Sequence, residues 1–119
     1  MPKVPCTTFD DLRLIALSVP EVEEAVAYGR PIFKTRGKML ARLREDGESV
    51  IVKVDKILRS SLLDGEPDIY FIEDHYLEHP LALVHLNKIS VDDLKYLVET
   101  AWRMTATKRA IQSFDSQNQ

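Results

Sequence analysis

From Ile32 to Val54 apolar and polar residues alternate, and this period-two run constrains the fold more than any other feature of the chain. A strand turns successive side chains to opposite faces. Phe33, Thr35, Met39, Ala41, Leu43, Val50, Val52 and Val54 are therefore expected on an apolar inner face, and Lys34, Arg36, Arg42, Arg44 and Lys53 on an outer one. Two glycine-marked turns cut the run into three antiparallel strands. Arg36-Gly37-Lys38 makes the first and Glu45-Asp46-Gly47-Glu48 the second, glycine supplying the positive φ that tight hairpin loops require. Just upstream, Val22 to Tyr28 is punctuated by Gly29 and Pro31, and it reads either as a short strand or as an extended lead-in.

The flanks are helical. Thr8 is placed to cap a helix over Phe9 to Leu17, with Asp10 and Asp11 at its positive end and Pro20 stopping the pattern. Asp55 caps a second helix with Ile57, Leu58, Ser61 and Leu62 as its buried stripe and Gly65 at its end. Ile69 to Ile72 and Leu81 to Leu86 read as a fourth and a fifth strand. Ser90-Val91-Asp92-Asp93 opens the longest helix, whose inward stripe is Leu94, Leu97, Val98, Ala101, Trp102 and Thr105. After about Ser113 the composition predicts a polar tail. The order α-β(3)-α-β(2)-α, with helices able to cover one side of an antiparallel sheet, predicts an α+β two-layer sandwich on a single five-stranded sheet. One domain over residues 1–119 is expected, with flexible ends at 1–6 and 114–119.

Charge is unevenly placed. The chain carries 16 Lys and Arg against 19 Asp and Glu, a net −3 that argues against a general nucleic-acid binder. Between Tyr28 and Arg59, however, nine bases stand against four acids, a local +5. Such a distribution makes a field with a positive end that can orient an anionic partner. No apolar run approaches the roughly 20 residues of a membrane span, the segment Met1-Pro2-Lys3-Val4-Pro5 is too short for a signal peptide, and Cys6 has no partner for an internal disulfide. A cytoplasmic protein with no membrane partner is the expectation.

Five short motifs occur in a characteristic order: Ser18-Val19-Pro20-Glu21-Val22-Glu23-Glu24, Tyr28-Gly29-Arg30-Pro31-Ile32-Phe33, Gly37-Lys38 followed by Met39, Val52-Lys53-Val54, and the closing capped helix with Trp102. In these the chain resembles the MmcQ/YjbR family of small bacterial proteins, over nearly its whole length. It differs at His79-Pro80-Leu81, where many members carry a tryptophan after the histidine. The resemblance implies the same element order, similar to the fold of type III secretion chaperones, and it brings the family's label of DNA-binding protein without any catalytic residues.

The basic outer face is the strongest functional candidate, because cations at alternate positions contact several phosphates at once. Its residues are Lys34, Arg36, Lys38, Arg42, Arg44 and Lys53, and the partner expected is DNA bound without sequence preference. A merely solvated sheet face accounts for the same residues. The absence of outward aromatics disfavours base-stacking recognition of single strands. Two other readings stay open: a chaperone-like or protein-interaction homodimer using Ile32, Leu40 and Ile51 on that face, and a small-molecule pocket lined by Tyr28, Arg30 and Phe33. The loop Asp74-His75-Tyr76-Leu77-Glu78-His79 has histidines four apart, but its glutamate is misplaced for a His-Glu-x-x-His site and Pro80 forbids a long helix. No metal and no cofactor is expected. With no nucleophile, base and orienting group to place together, the chain reads as non-enzymatic.

Overall fold

Thr8 and Asp11 cap each other reciprocally: the Thr8 hydroxyl accepts the Asp11 N–H at 3.2 Å and the Asp11 carboxylate accepts the Thr8 N–H at 2.9 Å. This starts helix α1, Phe9–Leu17, in the computed structural model, which describes residues 7–117. Four strands follow: β1 Val22–Ala27, β2 Arg30–Thr35, β3 Lys38–Leu43 and β4 Ser49–Lys53. Their connections are legible in the backbone. Tyr28 and Gly29 join β1 to β2 with φ 55 and 75, and Arg36 and Gly37 join β2 to β3 with φ 56 and 77. Two successive left-handed residues in a two-residue loop make the type I′ geometry that matches strand twist. The segment before Gly29 is thus a strand, and the sheet has six strands where the sequence reading counts five.

Asp55 accepts the Leu58 N–H at 2.7 Å and opens helix α2, Lys56–Gly65. After it come β5 Tyr70–Phe71, a 3-10 turn at Asp74–Tyr76, β6 Leu81–His85, α3 Val91–Thr105 capped by Ser90, and α4 Lys108–Gln117. The polar tail expected after Ser113 is therefore helical to Gln117. Ala110, Ile111 and Phe114 hold α4 on the core, Phe114 lies edge-on to Trp102 at 5.1 Å, and Arg103 clamps Asp115 through its Nη2 and Nη1 at 2.6 and 3.1 Å. Residues 1–6, with Cys6, and 118–119 lie outside the described residues.

The sheet order is β1-β2-β3-β4-β6-β5, antiparallel throughout. All four helices pack on one side of it, around Phe33, Val50, Val52, Ala82 and Val84 from the strands and Leu12, Leu94, Leu97, Val98 and Trp102 from α1 and α3. The predicted α3 stripe is buried in full. Trp102 Nε1 donates to the Pro20 carbonyl at 2.8 Å and ties α3 to the α1–β1 corner. Each fully buried Leu, Val or Phe contributes about 1.5–3 kcal/mol, so this layer carries the fold.

Four expected positions are corrected. The β2–β3 register shifts between Phe33 and Lys34, which pair with Ala41 and Met39, so Leu40 is an extra, bulged residue in β3. Leu40 and Ala41 both enter the core, and Met39 moves to the opposite face. On α2, Ile57 is 86% exposed and Ser61 is exposed, while Arg59 is the buried side chain. The Arg59 guanidinium donates to the carbonyls of Leu77 at 2.9 Å, His79 at 2.9 Å and Leu81 at 3.1 Å. Those bonds hold the segment between β5 and β6, from which Ile72 and Tyr76 close over Ile51, Leu81 and Leu83 together with Met39 and Phe71. Half of the outer sheet face is roofed in this way.

Candidate nucleic-acid interface

Residues paired across an antiparallel sheet share a face, so the registers place the outer side chains in rows. One row crosses all six strands: Ala25, Ile32, Arg42, Ile51, Leu83 and Phe71. A neighbouring row holds Glu23, Lys34 and Met39, and continues with Lys53 and Leu81. On the other side lie Ala27 and Arg30, then Ser49 and His85. The unroofed part of the face is thus floored by β1, β2 and β3 and carries Arg30, Lys34 and Arg42, with Lys53 at its border.

Among the described residues no carboxylate lies within 4.0 Å of any of these four cations. Arg30 donates to the Glu45 carbonyl at 3.3 Å, which draws the β1–β2 tip and the β3–β4 loop together. The Arg42 guanidinium lies 5.6 Å from the centre of the Tyr28 ring. Tyr28 as a residue is 90% exposed at the hairpin tip. The outer face therefore does present an aromatic ring, against the sequence reading.

Arg44 behaves differently. Its side chain is only 14% exposed, it pairs with Glu73 at 2.9 Å and with Asp46 at 4.0 Å, and it donates to Ser49 Oγ at 3.2 Å. It also covers Phe71 at 5.8 Å, and Phe71 stacks on His85 with centroids 4.3 Å apart. Burial works against ionisation of the Asp46 carboxyl, yet hydrogen bonds from the Ser49 hydroxyl and from the N–H groups of Ser49 and Glu48, with Arg44 nearby, hold it below the usual carboxylate range. Arg44 is thereby neutralised and shielded.

Two more of the expected cations leave the face. Arg36 sits in the β2–β3 turn and donates to the Thr105 carbonyl at 3.5 Å, at the negative end of α3. Lys38 pairs with Thr35, a buried residue on the helix side, so its position faces that layer's rim. Of Lys34, Arg36, Lys38, Arg42, Arg44 and Lys53, the structure brings Lys34, Arg42 and Lys53 together as available charge and adds Arg30. The pocket of Tyr28, Arg30 and Phe33 does not form: Phe33 is fully buried against Phe9, 5.9 Å between ring centres, while Tyr28 stands out in solvent. The signal that would have placed Tyr28 was the pair Tyr28-Gly29, which occupies the slot of a two-residue Asn-Gly loop.

The homodimer reading loses its apolar surface too. Ile32, Leu40 and Ile51 are 6%, 0% and 1% exposed, so folding has already covered what a partner would bury. In the loop after β5, His75 packs edge-on to Tyr76 at 4.8 Å, and among the described residues no group of three His, Cys, Asp or Glu is spaced to hold a metal ion. No helix among them is long and apolar enough to cross a membrane.

A family model described as YjbR matches residues 17–104, from the end of α1 to the end of α3. Rv2570 of Mycobacterium tuberculosis strain H37Rv and Mb2600 of Mycobacterium bovis, both named uncharacterized proteins, are each 32% identical to this chain over 122 residues, covering 90% of this chain and 95% of theirs. Among solved structures, the crystal structure of Deinococcus radiodurans protein DR2400, with family-model domain DUF419, superposes with a TM-score of 0.74 at 20% identity. That match covers 94% of this chain and 91% of that one, and at such identity it speaks for the fold alone.

Proposed function

Starting from the fact that the chain belongs to the YjbR family, we propose that it is a binding module rather than a catalyst, and that the open half of its outer sheet face takes nucleic acid. Arg30, Lys34, Arg42 and Lys53 are the phosphate contacts. The observation that carries this reading is that these four cations share one face with no carboxylate within 4.0 Å among the described residues. Cations left unneutralised beside a buried aliphatic floor suit a polyanion better than an apolar partner. The net charge of −3 keeps the affinity modest and the partner local to this face. Glu23, opposite Lys34 in the register, sets the limit of the positive field on the β1 side.

Phosphate neutralisation makes affinity fall with salt in proportion to the number of contacts. Four contacts give a slope of log K against log salt of about −3 to −4, a loss of roughly 50- to 150-fold between about 50 and 200 mM salt. Fluorescence anisotropy of a labelled oligonucleotide, titrated with the protein and with an Arg42→Glu, Lys53→Glu variant, reads this directly. The expected result is salt-sensitive binding that the variant loses. An absence of binding at low salt, or binding that survives both charge reversals, overturns the reading.

A further inference from the structure

We infer that the ligand of this face is single-stranded, and that Tyr28 is the platform on which one unpaired base stacks. The inference rests on the nucleic-acid reading and narrows it to a class of ligand. Tyr28 occupies the first position of a type I′ loop at φ 55, a backbone conformation that favours glycine or asparagine and strains a ring-bearing residue. Strain of this kind is ordinarily offset by burial, but Tyr28 is 90% exposed and its ring has, among the described residues, the Arg42 guanidinium 5.6 Å from its centre. A strained residue that contributes so little to packing is a mark of a binding position.

The surroundings decide which nucleic acid fits. One face of the ring is backed by Arg42 and the rest is open to solvent, so a base completes an arginine–tyrosine–base stack. In a duplex the base faces are already stacked on one another, and only an unpaired base offers one. The Arg30 bond to the Glu45 carbonyl shows that the β3–β4 loop stands beside the Tyr28 tip, and that loop carries Glu45, Asp46 and Glu48, with Asp46 held ionised. A stiff duplex laid across both tips meets those carboxylates. A flexible strand that stacks at Tyr28 and runs inward over Arg42 toward Lys34 and Lys53 avoids them.

The test is anisotropy of the whole chain with a labelled thymidine 20-mer and with a mixed-sequence duplex of equal length, at two salt concentrations, for the native protein and for Tyr28→Asn and Tyr28→Phe. Tyr28→Asn suits the loop backbone, so the fold is retained. The expected result is a single strand bound at least about tenfold tighter than the duplex, a loss of about 5- to 100-fold in Tyr28→Asn at an unchanged salt slope, and near-native affinity in Tyr28→Phe. Equal binding of strand and duplex, indifferent to Tyr28→Asn yet lost in Arg42→Glu, Lys53→Glu, overturns the stacking inference and leaves the phosphate reading standing. No binding of either oligonucleotide overturns both.

Discussion

Among the described residues, three other than glycine adopt left-handed φ: Glu21, Tyr28 and Arg36 at 66, 55 and 56. Each costs about 1 kcal/mol relative to glycine. Glu21 serves the turn from α1 into β1 and Arg36 bonds to the α3 terminus, whereas the cation–π contact of Tyr28, about 0.5–1 kcal/mol at an exposed site, is the visible return for its strain. A single atom gives the sharpest stability prediction. Thr35 is fully buried on the helix side of β2, and its hydroxyl has no hydrogen-bond partner among the described residues. A buried hydroxyl without a partner carries its desolvation cost uncompensated. Thr35→Val, which keeps the shape and removes the polar group, is therefore expected to stabilise the protein by about 1 kcal/mol. Urea unfolding checks it: a higher midpoint at constant slope is the expected outcome, and a lower midpoint sinks it.

Among the elements, the segment from β5 to β6 takes three backbone hydrogen bonds from one side chain of α2. Arg59 saturates three of its carbonyls, and the roof over Ile51 and Leu83 is built on that segment. Arg59→Met keeps the bulk but removes all three bonds, leaving the His79 carbonyl only the Leu81 N–H, so a loss of about 3 kcal/mol is expected. Amide exchange between residues 74 and 81 should quicken at the same time, and a change below about 1 kcal/mol with unaltered exchange would show that the clamp is incidental. Arg59 was illegible in the sequence because its partners are backbone carbonyls, and these leave no trace in residue types. The alternation from Ile32 to Val54 gave the three strands and the Val50 and Val52 face correctly, since period two is a property of any strand. It misplaced Leu40 and Met39 because one bulged residue inverts the parity of everything on its far side. Caps were read well at Thr8, Asp55 and Ser90, where a short polar side chain must meet a free N–H. Helix α4 was missed because Gln112, Ser113, Asp115, Ser116 and Gln117 mask the Ala110, Ile111, Phe114 spacing.

At the scale of the molecule, one layer of helices leaves the other sheet face to be finished by whatever is at hand, and this chain finishes half of it with its own loop. The remainder is where the local +5 of residues 28–59 emerges, reduced by the Arg44 ion pairs, by the turn position of Arg36 and by the pairing of Lys38 with Thr35 toward the helix side. At the open edge, β1 carries Glu23 and Glu24, and Arg13 of α1 binds Glu24 at 2.8 and 3.0 Å. Charged side chains on an edge strand oppose the addition of another strand, so the proposed binding role falls to the face of the sheet and not to its rim. The most direct measurement of that claim is residue-resolved amide shift mapping of the isotopically labelled chain titrated with a short single strand at low salt. Shifts concentrated on Tyr28–Lys34 and Met39–Arg42, with the helix layer quiet, are the predicted result. Shifts centred instead on Lys95, Lys108 and Arg109 of the helical side, or none at all, would contradict it.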